Sequence, residues 1–80
     1  MKPIEGNVLK ADNGTRLAVI NVGKAGGVTR GYVFSIARGS EYIGQLEIDS
    51  VYENVSAGTV KLLAPGAEVR TGDRVTTTLN

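Results

Sequence analysis

Short runs rich in Val, Ile, Thr and Tyr alternate along this chain with turns rich in Gly, Asn, Asp and Pro. That spacing is typical of β-strands joined by tight turns. No window keeps apolar residues at helical spacing without a Gly or Pro, so no long helix is expected. The pattern predicts six strands, over Ile4–Ala11, Arg16–Val22, Tyr32–Arg38, Tyr42–Tyr52, Ser56–Leu63 and Arg74–Thr78.

Two of the predicted strands show how the sheet is covered. The second strand contains Leu17–Ile20, which is apolar on both faces and indicates a central strand in a closed or covered sheet. In the fourth strand, Leu46 and Ile48 share one face, and Glu47 and Asp49 share the other. A chain of 80 residues has little material to cover open strand edges. An all-β fold is therefore expected, a small six-stranded barrel in preference to a sandwich.

Four residues are singled out as structural turn residues. Asn13-Gly14 is the dipeptide favoured in type I′ hairpin turns, which need a positive φ at both central positions. Gly31 and Gly72 each precede a predicted strand, where glycine supplies the positive φ of a tight turn. Asp73 follows Gly72, and its carboxylate is predicted to accept backbone N–H bonds within that turn, with a catalytic role as the alternative.

The chain also contains a candidate internal repeat. Val28–Phe34 aligns with Val69–Val75 at an offset of 41 residues, with Val on Val and Gly on Gly. This alignment predicts one domain over residues 1–80, made of two β-β-β halves, 1–40 and 41–80, related by a pseudo-two-fold axis. The alternative is a pair of unrelated turns with similar chemistry.

The absent residue types narrow the chemistry. The chain has no Cys and no His, which excludes disulfides, thiolate metal sites, cysteine nucleophiles and the histidine relays of hydrolases. Glu47 and Asp49 are interpreted as the solvated side of a strand, with an acid–base pair or a cation site as the alternative. We therefore expect no catalytic residues, no metal and no cofactor, and a protein that is not an enzyme.

The tyrosines allow two interpretations. Tyr32, Tyr42 and Tyr52 recur every ten residues. They are expected to cover a small core with their hydroxyl groups in water. The alternative is a platform on which bases or sugars stack.

Charge is balanced overall at a net +1, but it is unevenly distributed. Residues 1–40 carry six basic and two acidic side chains, a net +4, whereas residues 41–80 carry three basic and six acidic side chains, a net −3. If the two glycine turns lie close together, Lys24, Arg30 and Arg70 gather at one end as an anion-binding patch. The longest apolar run is far too short to span a bilayer, so no membrane contact by this segment is expected.

Two stretches resemble known families. Thr71-Gly72-Asp73-Arg74-Val75 resembles the GD-box turn of cradle-loop barrels, the group of double-psi and swapped-hairpin barrels, and Gly31-Tyr32 resembles a second copy without the Asp. Residues 17–63 are similar to the β-barrel domain of rod-shape-determining MreC proteins and of some flagellar-assembly proteins. The residues that carry this second likeness are Leu17–Gly23, Gly27–Phe34 and Ile43–Leu46. The resemblance implies a bacterial, periplasmic or envelope-associated protein.

The sequence is compatible with three functions. The resemblance favours a non-enzymatic interaction or scaffold module, a domain of a longer envelope protein, that binds a protein partner or itself through sheet edges and Gly-rich loops. The second hypothesis is a barrel that binds nucleic acid through Lys24, Arg30 and Arg70. The third is an engineered barrel without a native activity.

The charge distribution predicts salt-sensitive self-association. Opposite net charges on the two halves attract between chains, and salt screens this attraction because the Debye length is about 8 Å at physiological ionic strength. Sedimentation at low salt is expected to show more dimer than sedimentation at about 0.5 M salt. A chain that stays monomeric at every ionic strength would show that the charges act only within one molecule.

Overall fold

The computed structural model describes residues 3–77 and contains six strands. They are β1 (Glu5–Asp12), β2 (Leu17–Ile20), β3 (Val33–Arg38), β4 (Glu41–Val51), β5 (Ser56–Lys61) and β6 (Arg74–Thr76). A single 3₁₀ turn, Lys24–Gly26, lies between β2 and β3. The strand bounds match the sequence prediction to within two residues at most ends, and the predicted last residue of the sixth strand, Thr78, lies outside the described residues.

The strands form a closed barrel in the order β1-β2-β5-β4-β3-β6, and every neighbouring pair is antiparallel. The predicted six-stranded all-β barrel is therefore confirmed. Closure gives each strand a hydrogen-bonding neighbour on both sides, which satisfies backbone groups that an open sheet would leave exposed. Within residues 3–77, no helix has the length and hydropathy needed to cross a membrane.

Alternating side chains of all six strands fill the barrel. In β4, Leu46 and Ile48 are buried on the inner face, as their pattern predicts. Two valines from the loops, Val28 and Val69, complete the core. The largest side chains buried in full are Phe34, Ile20, Ile36, Ile43, Leu46, Ile48, Val8 and Val75.

The turn between β1 and β2 differs from its prediction. Gly14 does not have a positive φ, and the residue of this turn that does is Arg16, at 60°. The connection is a four-residue loop closed by the pairing of Asp12 with Leu17, and not a two-residue type I′ turn. Asp12 Oδ1 accepts hydrogen bonds from the N–H groups of Gly14 (3.0 Å) and Thr15 (3.3 Å). The aspartate cap therefore shapes this turn, so the prediction for Gly14 is wrong.

The two other glycine turns have matching geometry. Gly31 and Gly72 both have φ of 93°, the left-handed conformation expected from the sequence. The N–H group of Gly31 donates to the carbonyl of Ile48 (2.8 Å), and that of Gly72 donates to the carbonyl of Val8 (2.7 Å). In return, Ile48 and Val8 each donate to the residue that follows the respective glycine. Each turn is therefore fixed against the middle of a strand in the other half of the chain.

The strand order is unchanged when β1, β2 and β3 are exchanged with β4, β5 and β6. Both first strands of these sets also carry an irregularity, between Val8 and Lys10 in β1 and between Ile48 and Ser50 in β4. β3 lies between β4 and β6, so the first half cannot close without the second. These equivalences favour the internal repeat, which stays a prediction about the origin of the two halves.

The glycine turns predict a contrast between two matched substitutions. Gly72→Val places a β-branched side chain at a φ of 93° and is expected to cost about 1–3 kcal/mol of stability. Gly14→Val introduces the same side chain where φ is not positive, so its cost is expected to stay below about 1 kcal/mol. Denaturant midpoints of the two variants measure this difference, and equal losses would contradict the turn assignments.

Candidate functional site

A groove of about 440 Å³ opens on four consecutive strands of the barrel. Its walls come from β1 and β4, and its floor comes from β2 and β5 between them. The lining residues are Lys10, Ala11, Asp12, Thr15, Leu17, Ala18, Val19, Asp49, Ser50, Ala57 and Gly58. The surface is mainly apolar, which is the character expected of a binding groove.

The irregularities in β1 and β4 position the two walls. Register shifts between Val8 and Lys10 and between Ile48 and Ser50 insert one extra residue into each strand opposite its hairpin partner. Such a bulge bends its strand and increases the local twist. The bends fall beside the pairing of Val19 with Ala57, so the groove lies between two bulged strands.

The floor and the walls of the groove differ in chemistry. Leu17 is 51% exposed, and the neighbouring Val19 and Ala57 are half-buried on the outer face of the barrel. Lys10 stands on the β1 wall and Asp49 on the β4 wall. Asp49 Oδ2 accepts a hydrogen bond from Thr59 Oγ1 at 2.7 Å. The arrangement suits an apolar partner surface with charges at its margins.

A second polar cluster surrounds Asp73, which is 3% exposed. Arg38 Nε donates to Asp73 Oδ1 at 2.8 Å, and Arg38 Nη2 donates to Asp73 Oδ2 at 2.9 Å. The same Nη2 donates to the carbonyl of Glu68 at 2.9 Å. The backbone N–H of Arg70 donates to Asp73 Oδ2 at 2.8 Å. The carboxylate is thus committed to a two-pronged ion pair and to its turn, as the predicted turn role requires.

These contacts set the protonation of both partners. Burial by itself raises the pKa of Asp73. Hydrogen bonds from the Arg38 side chain and the Arg70 backbone lower this pKa, as do the charges of both arginines. The lowering effects outweigh burial, so the pKa of Asp73 lies below its ordinary value. The hydrogen bond to Asp73 raises the pKa of Arg38. The pair therefore stays ionised at neutral pH.

Asn13 joins the hairpin loop to a distant segment. Its Nδ2 donates to the carbonyl of Val69 at 2.9 Å, and the N–H of Val69 donates to Asn13 Oδ1 at 2.8 Å. The side-chain amide thus pairs with the Val69 backbone as a neighbouring strand would. The sequence marks Asn13 as a turn residue, and nothing in its local pattern points to this contact.

The predicted cation patch does not form. β3 and β6 run antiparallel with Ser35 opposite Thr76, and Arg30 and Arg70 each lie before the start of one of these strands. The two arginines therefore lie at opposite ends of the strand pair. Lys24 is in the same loop as Arg30, where its backbone N–H donates to the carbonyl of Tyr52 at 2.8 Å. The prediction that three cations gather at one end is wrong, because it ignored strand direction.

The predicted role of the tyrosines is also wrong. Tyr32, Tyr42 and Tyr52 are 40%, 48% and 59% exposed, and none belongs to the buried core. Aliphatic side chains and Phe34 already fill the barrel, so no space remains for further rings.

The two carboxylates on the outer face of β4, Glu47 and Asp49, have different partners. Glu47 lies 3.8 Å from Lys61 Nζ in an exposed ion pair, whereas Asp49 bonds Thr59. Within residues 3–77, no group of three or more carboxylates lies close enough to hold a metal ion.

The sequence contained one signal for the groove. Leu17 and Val19 alternate with the buried Ala18 and Ile20, so β2 is apolar on both faces although its outer face is open to solvent. The bulges that form the walls have no equally clear signal, because register depends on which strands pair. The part played by Arg38 was likewise missed.

Comparison of the chain with protein-family models, with curated proteins and with solved structures finds no match.

The Arg38–Asp73 pair predicts an acid-sensitive contribution to stability. A carboxyl group whose pKa is lowered by folding stabilises the protein above its unfolded pKa of about 4, and this contribution is lost as pH falls toward the folded pKa. Asp73→Asn is expected to lower stability by about 1–3 kcal/mol at pH 7, with a smaller difference below about pH 4.

Urea midpoints between about pH 3 and pH 7 measure the effect. Asp49→Asn is the matched control, since this exposed carboxylate has one side-chain partner, and its loss is expected within about 0.5 kcal/mol. A pH-independent difference between wild type and Asp73→Asn would contradict the ionised pair.

Proposed function

We propose that this chain is a non-enzymatic interaction module that binds a protein partner through the groove between β1 and β4. The observation that carries the proposal is the solvent-open apolar surface of Leu17, Val19 and Ala57 between two charged walls. Apolar contact at the centre with polar groups at the margin is the usual composition of a protein interface.

The closed barrel changes which surface is available for the partner. Sheet edges were expected to bind, but all six strands pair on both sides, so strand addition has no free edge over the paired residues. The Gly-rich loop is tied to the β4–β5 connection through bonds from Lys24 and Ala25 to Tyr52 and Glu53. Side-chain contact in the groove is therefore the mode of binding that we propose.

A non-enzymatic role agrees with the state of the polar groups. Asp73 is held by Arg38 and by the backbone, and Glu47 and Asp49 bond separate partners. The chain contains no His or Cys to serve as a nucleophile or to activate a hydroxyl group. The resemblance to MreC-like and flagellar-assembly barrels adds that the partner belongs to the bacterial envelope.

Photo-crosslinking tests this assignment. A photoreactive phenylalanine analogue is placed at Leu17, inside the groove, and separately at Tyr52, which is 59% exposed and outside it. In cells that make the protein, position 17 is expected to give a discrete cross-linked polypeptide, which a second substitution, Val19→Asp, removes. Equal cross-linking from both positions, or none from position 17, would contradict groove binding.

The nucleic-acid alternative is tested with the purified protein. Arg30 and Arg70 lie too far apart to act as one patch, so oligonucleotide affinity is expected to be weak even at low salt. Tight binding with a steep loss of affinity as salt rises, reduced by Arg30→Ala, would favour the nucleic-acid barrel over the interaction module.

A further inference from the structure

Asn13 and Gly14 form a dipeptide that is prone to a spontaneous covalent change. Glycine has no side chain, so its main-chain nitrogen can reach the side-chain carbon Cγ of a preceding asparagine without a clash. Asn7, Asn21 and Asn54, by contrast, each precede a valine, whose β-branched side chain hinders this approach. The sequence therefore sets Asn13 apart from these asparagines as a reactive position.

Attack by the Gly14 nitrogen on Asn13 Cγ converts the asparagine to an acid. A bond forms between that nitrogen and Cγ, which closes a cyclic imide. The bond from Cγ to Nδ2 breaks, and Nδ2 leaves as ammonia with the proton that the Gly14 nitrogen gives up. Water then opens the imide at either of its carbonyl groups. The product is aspartate, or isoaspartate where the main chain continues through the side-chain carbon.

The fold occupies both of the reacting groups. Asn13 Nδ2 donates to the carbonyl of Val69 at 2.9 Å, and Asn13 Oδ1 accepts from the N–H of Val69 at 2.8 Å. The N–H of Gly14 donates to Asp12 Oδ1 at 3.0 Å. Attack makes Cγ tetrahedral, so the planar pairing of the amide with the Val69 backbone has to break first. The folded state is therefore expected to slow the reaction.

The same contact would be lost in the product. A carboxylate at position 13 has no N–H to donate, so one of its oxygens would face the carbonyl oxygen of Val69, and two acceptors repel each other. Val69 is buried in the core and lies in the segment that leads through Gly72 to β6. Loss of the contact therefore loosens the segment on which the position of β6 depends.

We propose that Asn13 is a modification site at which deamidation, slowed by the fold, releases the β1–β2 loop from the segment before β6. The neighbouring glycine supplies the reactivity. The paired hydrogen bonds to Val69 supply both the protection and the structural consequence. This inference goes beyond the proposed function, because it requires no partner and does not depend on the groove.

The rate of modification is measured by peptide mapping with mass spectrometry, on the purified protein at neutral pH with and without urea. In urea, Asn13 is expected to deamidate faster than Asn54. In the folded protein, Asn13 is expected to react about tenfold or more slowly than in urea, because two hydrogen bonds must open. The control Gly14→Val keeps Asn13 but hinders attack, so its rate in urea is expected to fall to that of Asn54. Equal rates at Asn13 with and without urea would overturn the proposal.

The structural consequence is measured by hydrogen exchange of single amides in Asn13→Asp, a stable form of one product. The amides of Val69 and Gly72 are expected to exchange about tenfold faster than in wild type, because the segment before β6 opens locally. The amide of Leu46, in the paired middle of β4, is expected to stay within about threefold of wild type.

The matched control is Asn54→Asp, which makes the same change of charge in the exposed connection between β4 and β5. In this variant, exchange at Val69 and Gly72 is expected to stay within about threefold of wild type. Unchanged exchange at these amides in Asn13→Asp would overturn the proposed release. An equal rise at Leu46 would also overturn it, since the whole barrel would then be destabilised and not the loop contact alone.

Discussion

Closure of the barrel depends on β6, a strand of only three residues that pairs with β1 on one side and β3 on the other. Few backbone hydrogen bonds hold so short a strand, so its position depends on the turn before it. That turn is fixed by the left-handed Gly72, by the exchange of hydrogen bonds with Val8, and by the buried carboxylate of Asp73. Because Arg38 ends β3 and binds that carboxylate, the turn is also tied to the neighbouring strand.

Closure also decides where a partner can bind. A closed sheet has no free edge over its paired residues, and the inner face is filled by the core, so contact is limited to the outer face and the loops. Single exposed apolar side chains, such as Val33 and Leu62, occur elsewhere on the surface. The face formed by β1, β2, β5 and β4 is different, because bulges bend its outer strands and Leu17, Val19 and Ala57 leave its centre apolar. The groove is thus a consequence of how the barrel closes.

Predictions from the sequence were correct where they depend on the alternation within one strand or on one glycine before a strand. Alternation placed Leu46 and Ile48 in the core, and the glycines at 31 and 72 have the left-handed conformation that a turn before a strand requires. Predictions that depend on which groups contact each other failed, both within one turn and between strands. Gly14 has no positive φ because the carboxylate of Asp12 caps the loop, and the tyrosines stay exposed because aliphatic residues already fill the barrel.

By itself, then, the sequence determined the all-β class, the six strands, two of the tight turns and the exclusion of cysteine and histidine chemistry. Those properties follow from residue type and period-two alternation, which act over a few residues. Tertiary structure alone decided the partner of Asp73, the separation of Arg30 from Arg70, and the groove between Lys10 and Asp49. Strand direction and register set these distances, and they are fixed only when strands far apart in the chain pair and the barrel closes.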